Sequence, residues 1–260
     1  MSTFLFDEII FGPVKSRRLG VSLGINLLPT KRKICNFNCI YCECGWTDDS
    51  GKTSSHLPGR KEVYKALEQK LSSMKEKNQY PDVLTYAGNG EPTLHPQFRG
   101  IIDDSIELRN KYFPDARIAV LSNATTISNP SIREALLKVD QNILKFDSAC
   151  DNTIQKHNQP HRRINVSELI NDLREFSGKL IVQTLFLRGY YNGAVIDNTT
   201  PEEIKEWLKA IDTIKPLEVM IYTISRDTPE EGRLEKVPLK ELQKIAKMVN
   251  ALGIKTQVSD

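Results

Sequence analysis

Residues 34–46 read ICNFNCIYCECGW, and this stretch holds four of the five cysteines of the chain. They are Cys35, Cys39, Cys42 and Cys44, and the fifth cysteine, Cys150, is remote. A disulfide framework would spread its cysteines through a short secreted chain, whereas a tight cluster in a long cytosolic chain usually binds metal. The spacings of three and two intervening residues let one loop surround a compact centre with three thiolates. Such thiolate-rich sites favour zinc or an iron-sulfur cluster.

The number of available ligands favours iron and sulfide over zinc. A structural zinc site needs four closed ligands, commonly from two separated C-x-x-C pairs, and the chain has no second pair. Cys44 follows Cys42 too closely to serve easily as a fourth ligand of the same centre, and His56 is the only nearby imidazole. Three thiolates on a four-iron cluster leave one iron without a protein ligand, which is typical of a reactive centre. Zinc, or a cluster that only carries electrons, is the alternative.

The scaffold around this loop is predicted from alternating periodicities. Apolar runs rich in β-branched residues lie at 21–28, 82–87, 116–122, 142–147, 179–187 and 217–224, with a possible last strand at 254–258. Helical periodicity separates them, as over residues 60–78, and helix starts are predicted at Asn129-Pro130, Thr200-Pro201 and Val237-Pro238. The spacing of Thr200 and Glu203 predicts a capping box. This alternation predicts an α/β fold, an open partial (βα)6 barrel with parallel strands. A doubly wound or flavodoxin-like sheet is the alternative.

Length and composition indicate one globular unit. The chain has 260 residues, 39% of them hydrophobic, and no low-complexity linker divides it. We therefore expect a single domain over 1–260, with residues 1–20 as an extension before the first strand. No apolar run approaches the roughly 20 residues of a membrane span. Asp7 and Glu8 stand where a signal peptide would need a basic flank, so a cytoplasmic protein is expected.

The charge is close to balanced overall but uneven along the chain. The net charge of +3 is too small to indicate a nucleic-acid binder by itself. From Gly12 to Asn38, however, there is no acidic residue among six basic ones: Lys15, Arg17, Arg18, Lys31, Arg32 and Lys33. This stretch is interpreted either as an ordinary solvated surface or as an anion-facing rim beside a site.

The C-x3-C-x2-C spacing, with Tyr41 just before the third cysteine, resembles the radical S-adenosylmethionine (radical SAM) enzymes. The resemblance implies that Cys35, Cys39 and Cys42 hold a [4Fe-4S] cluster. It also implies that the amino and carboxylate groups of SAM chelate the fourth iron. In this family the reduced cluster cleaves SAM to methionine and a 5′-deoxyadenosyl radical, which abstracts hydrogen from the substrate. An electron donor such as flavodoxin or ferredoxin is implied as a partner.

A second motif follows the second predicted strand, where residues 88–92 read GNGEP. Two glycines let the backbone approach a ligand closely, and Pro92 biases Glu91 toward an extended conformation. Alone, the stretch could be no more than a tight turn. It resembles the G-G-E-P motif of radical SAM enzymes, and that resemblance assigns it to the methionyl amino group of SAM. The residues concerned are Gly88, Asn89, Gly90 and Glu91.

Polar residues at the ends of later strands complete the predicted cofactor site, because ligands of parallel α/β folds bind at the carboxyl ends of the strands. The resemblance assigns Asn123 to the ribose and Lys145 to the methionyl carboxylate; a surface salt bridge to Asp147 is the alternative for Lys145. Gln183, Thr184 and Arg188 are candidates for SAM or substrate contact. Tyr222, Thr223, Arg226 and Thr228 lie at the last predicted strand end, where the family's backbone meets adenine; Arg226 is equally well an ordinary surface residue.

The stretch TLFLRG at 184–189 and the segment 12–29 resemble the wybutosine-type and molybdenum-cofactor-type branch of the family. In the latter segment Arg17 and Arg18 are candidates to reach the site. Too few cysteines remain for an auxiliary cluster. His95, His157 and His161 are candidate proton carriers but are more simply structural, and Cys44 and Cys150 are interpreted as bystanders.

The substrate is not identified by any of these motifs. A wide barrel mouth suits a large substrate, and the basic stretches 15–33 and 157–163 favour RNA modification. One alternative is an activase that installs a glycyl radical on a partner protein. Another is a non-catalytic iron-sulfur or zinc module, although such a module would have no use for the GNGEP motif.

Overall fold

Strands and helices alternate in the computed structural model, which describes residues 4–47, 56–226, 228–229 and 234–260. The strands are β1 (Ile10–Ser16), β2 (Gly20–Ile25), β3 (Val83–Tyr86), β4 (Arg117–Ser122), β5 (Gln141–Lys145), β6 (Ile181–Tyr191), β7 (Ala194–Asp197), β8 (Glu218–Thr223), β9 (Leu234–Lys236) and β10 (Lys255–Ser259). The helices are α1 (Arg60–Glu76), α2 (Phe98–Tyr112), α3 (Pro130–Lys138), α4 (Asp151–Asn158), α5 (Val166–Arg174), α6 (Pro201–Ile214) and α7 (Leu239–Asn250). All the strands predicted from the sequence are present.

The main sheet is parallel and unclosed. Its order is β1-β2-β3-β4-β5-β6-β8-β10, and every neighbouring pair from β2 to β10 is parallel. The two edge strands, β1 and β10, do not pair with each other in the described part of the sheet. The predicted partial barrel with parallel strands is therefore confirmed.

Three strands were missed in the sequence, and all of them are antiparallel. β1 pairs with β2, while β7 and β9 pair with the far end of β6, which runs on beyond the parallel sheet. β1 lies within the segment 1–20, which was expected to precede the first strand. Buried and exposed residues alternate poorly along β1, because it contains Pro13 and exposes Val14. β7 and β9 have four and three residues, too few to show a period.

The helices form as their apolar spacing predicts. α1 buries Val63, Leu67, Leu71 and Met74 on one face. The Asn129 side chain caps α3 by accepting from the Ser131 amide, and the Thr200 hydroxyl caps α6 by accepting from the Glu203 amide. The capping box is only half formed, because the Glu203 carboxylate accepts from two hydroxyls near α4 and not from the Thr200 amide. No helix in the described ranges is long and apolar enough to cross a membrane.

One layer of apolar side chains fills the barrel interior below the site. Successive strands supply Val83, Ala119, Ile143, Ile181 and Met220 to this layer. Leu19, from the turn between β1 and β2, packs against them and is 4% exposed. This layer therefore fills the barrel interior, and the space available to a ligand lies toward the carboxyl ends of the strands.

Candidate active site

A cavity of about 310 Å³ lies at the carboxyl ends of the parallel strands. Eleven of the twelve predicted cofactor and metal residues line it: Cys35, Cys39, Tyr41, Cys42, Gly88, Gly90, Glu91, Asn123, Lys145, Gln183 and Tyr222. They come from six separate segments of the chain. The fold thus brings together residues that only the resemblance had connected.

The cysteine loop, residues 34–46, is held between the GNGEP turn and the end of α4. Ile34 exchanges backbone hydrogen bonds with the turn, donating to the Asn89 carbonyl at 2.9 Å and accepting from the Glu91 amide at 3.0 Å. On the other side the Ile40 amide donates to the His157 carbonyl at 3.0 Å. These backbone contacts position the three thiols without using any of their side chains.

The thiols of the loop differ in electrostatic environment. Burial raises the pKa of Cys35 to about 12 and also raises the pKa of Cys39. A hydrogen bond from Cys44, together with the nearby Lys33 ammonium, lowers the pKa of Cys42 to about 5. Cys42 is therefore the most readily ionised of the three.

Lys33 is a buried cation beside these thiols. Its Nζ donates to the Gly45 carbonyl at 2.8 Å, and the side chain is almost fully enclosed. Burial acts to lower its pKa, but the three cysteines together raise it. A cation in this position would offset the negative charge of a thiolate-bound cluster. The sequence signalled Lys33 only as one member of the basic stretch.

The donor chemistry fits an iron-sulfur cluster better than a single ion. Within the described ranges, no group of three or more His, Cys, Asp or Glu side chains is arranged to hold one metal ion. Three thiols nevertheless share one cavity, and a cluster of several irons needs its thiolates spread around it. A tetrahedral zinc site would need them gathered at about 2.3 Å from one centre.

The GNGEP turn requires glycine where it meets the cysteine loop. Gly90 has φ +132°, and a Cβ on it would lie 1.8 Å from the Ile34 carbonyl oxygen. A Cβ on Gly88 would lie 2.4 Å from Oδ1 of Asn26. The two glycines therefore serve close backbone packing as well as leaving room at the cavity.

The Glu91 side chain is fully engaged within the protein. Its Oε1 accepts from the Thr93 amide at 3.1 Å, the Thr93 hydroxyl at 2.6 Å and the Ser122 hydroxyl at 2.9 Å. Its Oε2 accepts from the Asn123 amide at 2.6 Å. Burial raises the pKa of Glu91, and these hydrogen bonds oppose the rise. The carboxylate joins the turn to the end of β4, so a ligand can meet this residue only through its backbone.

Among the twelve predicted cofactor and metal residues, Asn89 is the one that does not line the cavity. Its Nδ2 donates to the carbonyls of Phe6 and Pro29, each at 2.8 Å, and its Oδ1 accepts from the Phe6 amide at 2.8 Å. The side chain therefore secures the amino-terminal segment against the turn.

A buried polar network adjoins Cys39. Asp147 accepts hydrogen bonds from the Tyr41 hydroxyl and from Asn158 Nδ2, and its Oδ2 lies 3.5 Å from Lys145 Nζ. Asn158 Nδ2 also lies 3.5 Å from the Cys39 sulfur. The salt bridge between Lys145 and Asp147, which the sequence offered as the alternative role of Lys145, is present. It is buried and not at the surface, because the two side chains are 14% and 0% exposed. Asn158 was missed, because an amide at the end of a helix carries no motif.

Several other sequence candidates lie away from the cavity. Arg188 pairs with Glu241, and Thr184 donates to the Phe146 carbonyl. Arg17 bonds Ser225 and the carbonyl of the last residue. Cys150, His95, His157 and His161 do not line the cavity either. Cys44 does line it, with Sγ 3.4 Å from the Gly88 carbonyl.

Relatives in sequence span most of this chain. It is 30% identical over 231 residues to the UPF0026 protein slr1464 of Synechocystis sp., covering 87% of this chain and 79% of that protein. It is 29% identical over 246 residues to a protein named GTPase Obg of Brachyspira hyodysenteriae, covering 93% of this chain. The chain spans only 33% of the length of that second protein.

Solved structures and family comparison agree with the fold. A radical SAM methyltransferase from Sphaerobacter thermophilus superposes with a TM-score of 0.66 at 13% identity, covering 92% of this chain and 65% of that one. The family model described as the radical SAM superfamily matches residues 32–194, which include the cysteine loop and the GNGEP turn. With its open parallel barrel and its cavity lined by the cysteines of the C-x3-C-x2-C loop, this chain belongs to the radical SAM superfamily, whose enzymes use a [4Fe-4S] cluster and SAM.

Proposed function

We propose that Cys35, Cys39 and Cys42 bind the [4Fe-4S] cluster and that the adjoining cavity binds SAM. The observation that carries this proposal is the sharing of one cavity by the three thiols and the backbone of the GNGEP turn. When bound, the cluster supplies the electron that cleaves SAM to methionine and a 5′-deoxyadenosyl radical, which abstracts hydrogen from the substrate.

The residues of the chain bind and orient the reactants. Lys33 offsets the charge of the thiolates, and the Lys145 ammonium, held beside Cys39, receives the methionyl carboxylate. The backbone at Gly88, Gly90 and Glu91 receives the methionyl amino group. The ribose and adenine of SAM lie against Asn123, Gln183 and Tyr222, which line another part of the cavity.

The substrate class that we propose is RNA. Exposed His161, Arg162 and Arg163 line a second cavity of about 510 Å³, which also borders Asn36 and Phe37 of the cysteine loop. The guanidinium groups of Arg162 and Arg163, exposed beside the cysteine loop, can contact phosphates and release counterions. The motif TLFLRG at 184–189, with its likeness to the wybutosine-type branch, supports the same proposal. Radical SAM enzymes need an electron donor, and we propose a flavodoxin or ferredoxin in that role.

The first experiment tests the cluster and its use of SAM. The chain is purified and reconstituted anaerobically, iron and sulfide are counted, and 5′-deoxyadenosine is measured after reduction by dithionite with SAM present. We expect about four irons per chain, with both iron and nucleoside lost in Cys39→Ala and retained in the matched control Cys150→Ala. Stoichiometric zinc, or a cluster whose EPR spectrum does not respond to SAM, would contradict the proposal.

The second experiment tests the substrate class. Affinity for a mixed transfer-RNA pool is measured against salt concentration for the wild type, Arg162→Gln and Arg163→Gln. Each lost phosphate contact should reduce the slope of log affinity against log salt by roughly 0.7–0.9. Lys240→Gln, an exposed change on α7, is the control. A chain that ignores RNA but binds a glycyl-radical enzyme would instead be an activase.

A further inference from the structure

The turn between β1 and β2 carries Arg18 into the active-site cavity. The turn is fixed on three sides. The Arg18 carbonyl accepts from Gln257 Nε2 of β10 at 3.0 Å, and Arg17 donates to the Ser225 hydroxyl at 2.6 Å. Leu19 is buried in the apolar layer below. These contacts of the turn with the rest of the fold therefore fix the position of Arg18.

The guanidinium of Arg18 has contacts that orient it but none that neutralises it. Its Nη1 donates to Gln183 Oε1 at 3.2 Å, and its Cζ lies 4.5 Å from the centre of the Tyr222 ring. Among the described residues, no carboxylate lies within 4.0 Å of it. Within the part of the chain that the structure describes, one of its N–H donors is used by a protein acceptor, whereas a guanidinium offers five.

The other cations of the cavity already have anionic partners. Lys33 faces the cysteines of the loop, and Lys145 is paired with Asp147 and is already assigned to the methionyl carboxylate of SAM. Arg18 is the remaining cationic side chain that lines the cavity within the described ranges.

The two carboxylates of the described ranges that line the cavity cannot supply that partner. Both oxygens of Glu91 accept hydrogen bonds from Thr93, Ser122 and Asn123. Glu43 forms an ion pair with Arg226 at 2.8 Å. The charge of Arg18 is thus left for a ligand.

We propose that Arg18 binds an anionic group of the substrate, a carboxylate or a phosphate, inside the barrel. This inference rests on the proposed function, because it takes the cavity to be where substrate meets SAM. The planar guanidinium can hold either anion through two parallel hydrogen bonds. An uncharged substrate that covered this part-buried cation would displace its water without pairing its charge, so the same residue discriminates against it.

The test measures anion binding directly. Equilibrium dialysis with labelled pyrophosphate and with labelled succinate is done on the reconstituted enzyme containing SAM, and on the chain without cluster. Variants are Arg18→Gln, which keeps a donor for Gln183, and Arg18→Lys, which keeps the charge but loses the planar fork. The control is Lys15→Gln, an equal charge change at an exposed position of the same hairpin.

We expect one saturable site per chain for one of the two anions, and the preferred anion identifies the source as phosphate or carboxylate. Its affinity should fall at least tenfold in Arg18→Gln and by less in Arg18→Lys, and should stay unchanged in Lys15→Gln. No binding by the wild type, or equal affinity in Arg18→Gln and Lys15→Gln, would overturn the inference. SAM affinity is measured in parallel, because a tenfold loss there would assign Arg18 to SAM instead. Failure of the cluster to assemble would count against the proposed function alone, since the dialysis is also done without it.

Discussion

Replacing Asp147 by asparagine will leave Lys145 as an uncompensated buried cation. The Nζ–Oδ2 distance of 3.5 Å corresponds to a gross attraction of about 5 kcal/mol at an effective dielectric constant of 20. The asparagine amide would also face three donors, the Tyr41 hydroxyl, Lys145 Nζ and Asn158 Nδ2. Removing one partner of a buried pair typically costs about 3–5 kcal/mol. We expect the free energy of unfolding to fall by that amount.

The assay is urea unfolding of the cluster-free chain, followed by circular dichroism under reducing conditions. Asp103→Asn is the control, because Asp103 pairs with Lys138 where the side chains are 44% and 40% exposed. It should cost less than about 1 kcal/mol. The double variant with Lys145→Met removes both charges of the buried pair and should recover at least half of the loss. A cost below about 1 kcal/mol for Asp147→Asn, or a double variant equal to the sum of the single changes, would refute the reasoning.

Three further results are expected. Gly90→Ala should destabilise the chain by at least about 3 kcal/mol, because a Cβ at this position would lie 1.8 Å from a backbone oxygen. The control is Gly59→Ala, where a Cβ would meet open space, and it should cost under about 1 kcal/mol in the same urea assay. Burial lowers the pKa of His95 and His157, so at mildly acidic pH the unfolded chain binds protons that the folded chain does not. The midpoint of urea unfolding should therefore fall as the pH drops below about 6.5, and a midpoint that does not change with pH would contradict this. Lys33→Met should shift the reduction potential of the cluster to more negative values in an EPR-monitored redox titration. An unchanged potential would show that the buried Lys33 ammonium does not influence the cluster.

The order of strands and helices was predictable because each depends on local periodicity. The parallel strands are buried apolar runs, and α1 buries the side chains that its spacing places on one face. The antiparallel strands β1, β7 and β9 were not predictable in this way. Their pairing is set by contact with β2 and with the extended end of β6, and not by an alternation of their own.

The polar residues around the cavity show the same division. Lys145 was found because it stands at a strand end, and Asp147 was named as its alternative partner, but the network that joins Asp147 to Asn158 was identified only by the structure. Glu91 was found through its motif, yet its carboxylate proved to be an internal tie. Asn89, predicted from the same motif, has its side chain bonded to the amino-terminal segment instead.

The sequence by itself determined the parallel α/β scaffold, the cysteine loop and the GNGEP turn, because spacing along the chain dictates which side chains can share one loop or one face. Only the tertiary structure decided which basic side chains between Gly12 and Asn38 are buried, which enter the cavity and which stay exposed. Lys33 is buried beside the thiols, Arg18 enters the cavity, Arg17 bonds Ser225, and Lys15 stays exposed. The physical reason is that these residues are neighbours in a hairpin and a loop, where the direction of each side chain is set by the turn and by the distant strands that pack against it.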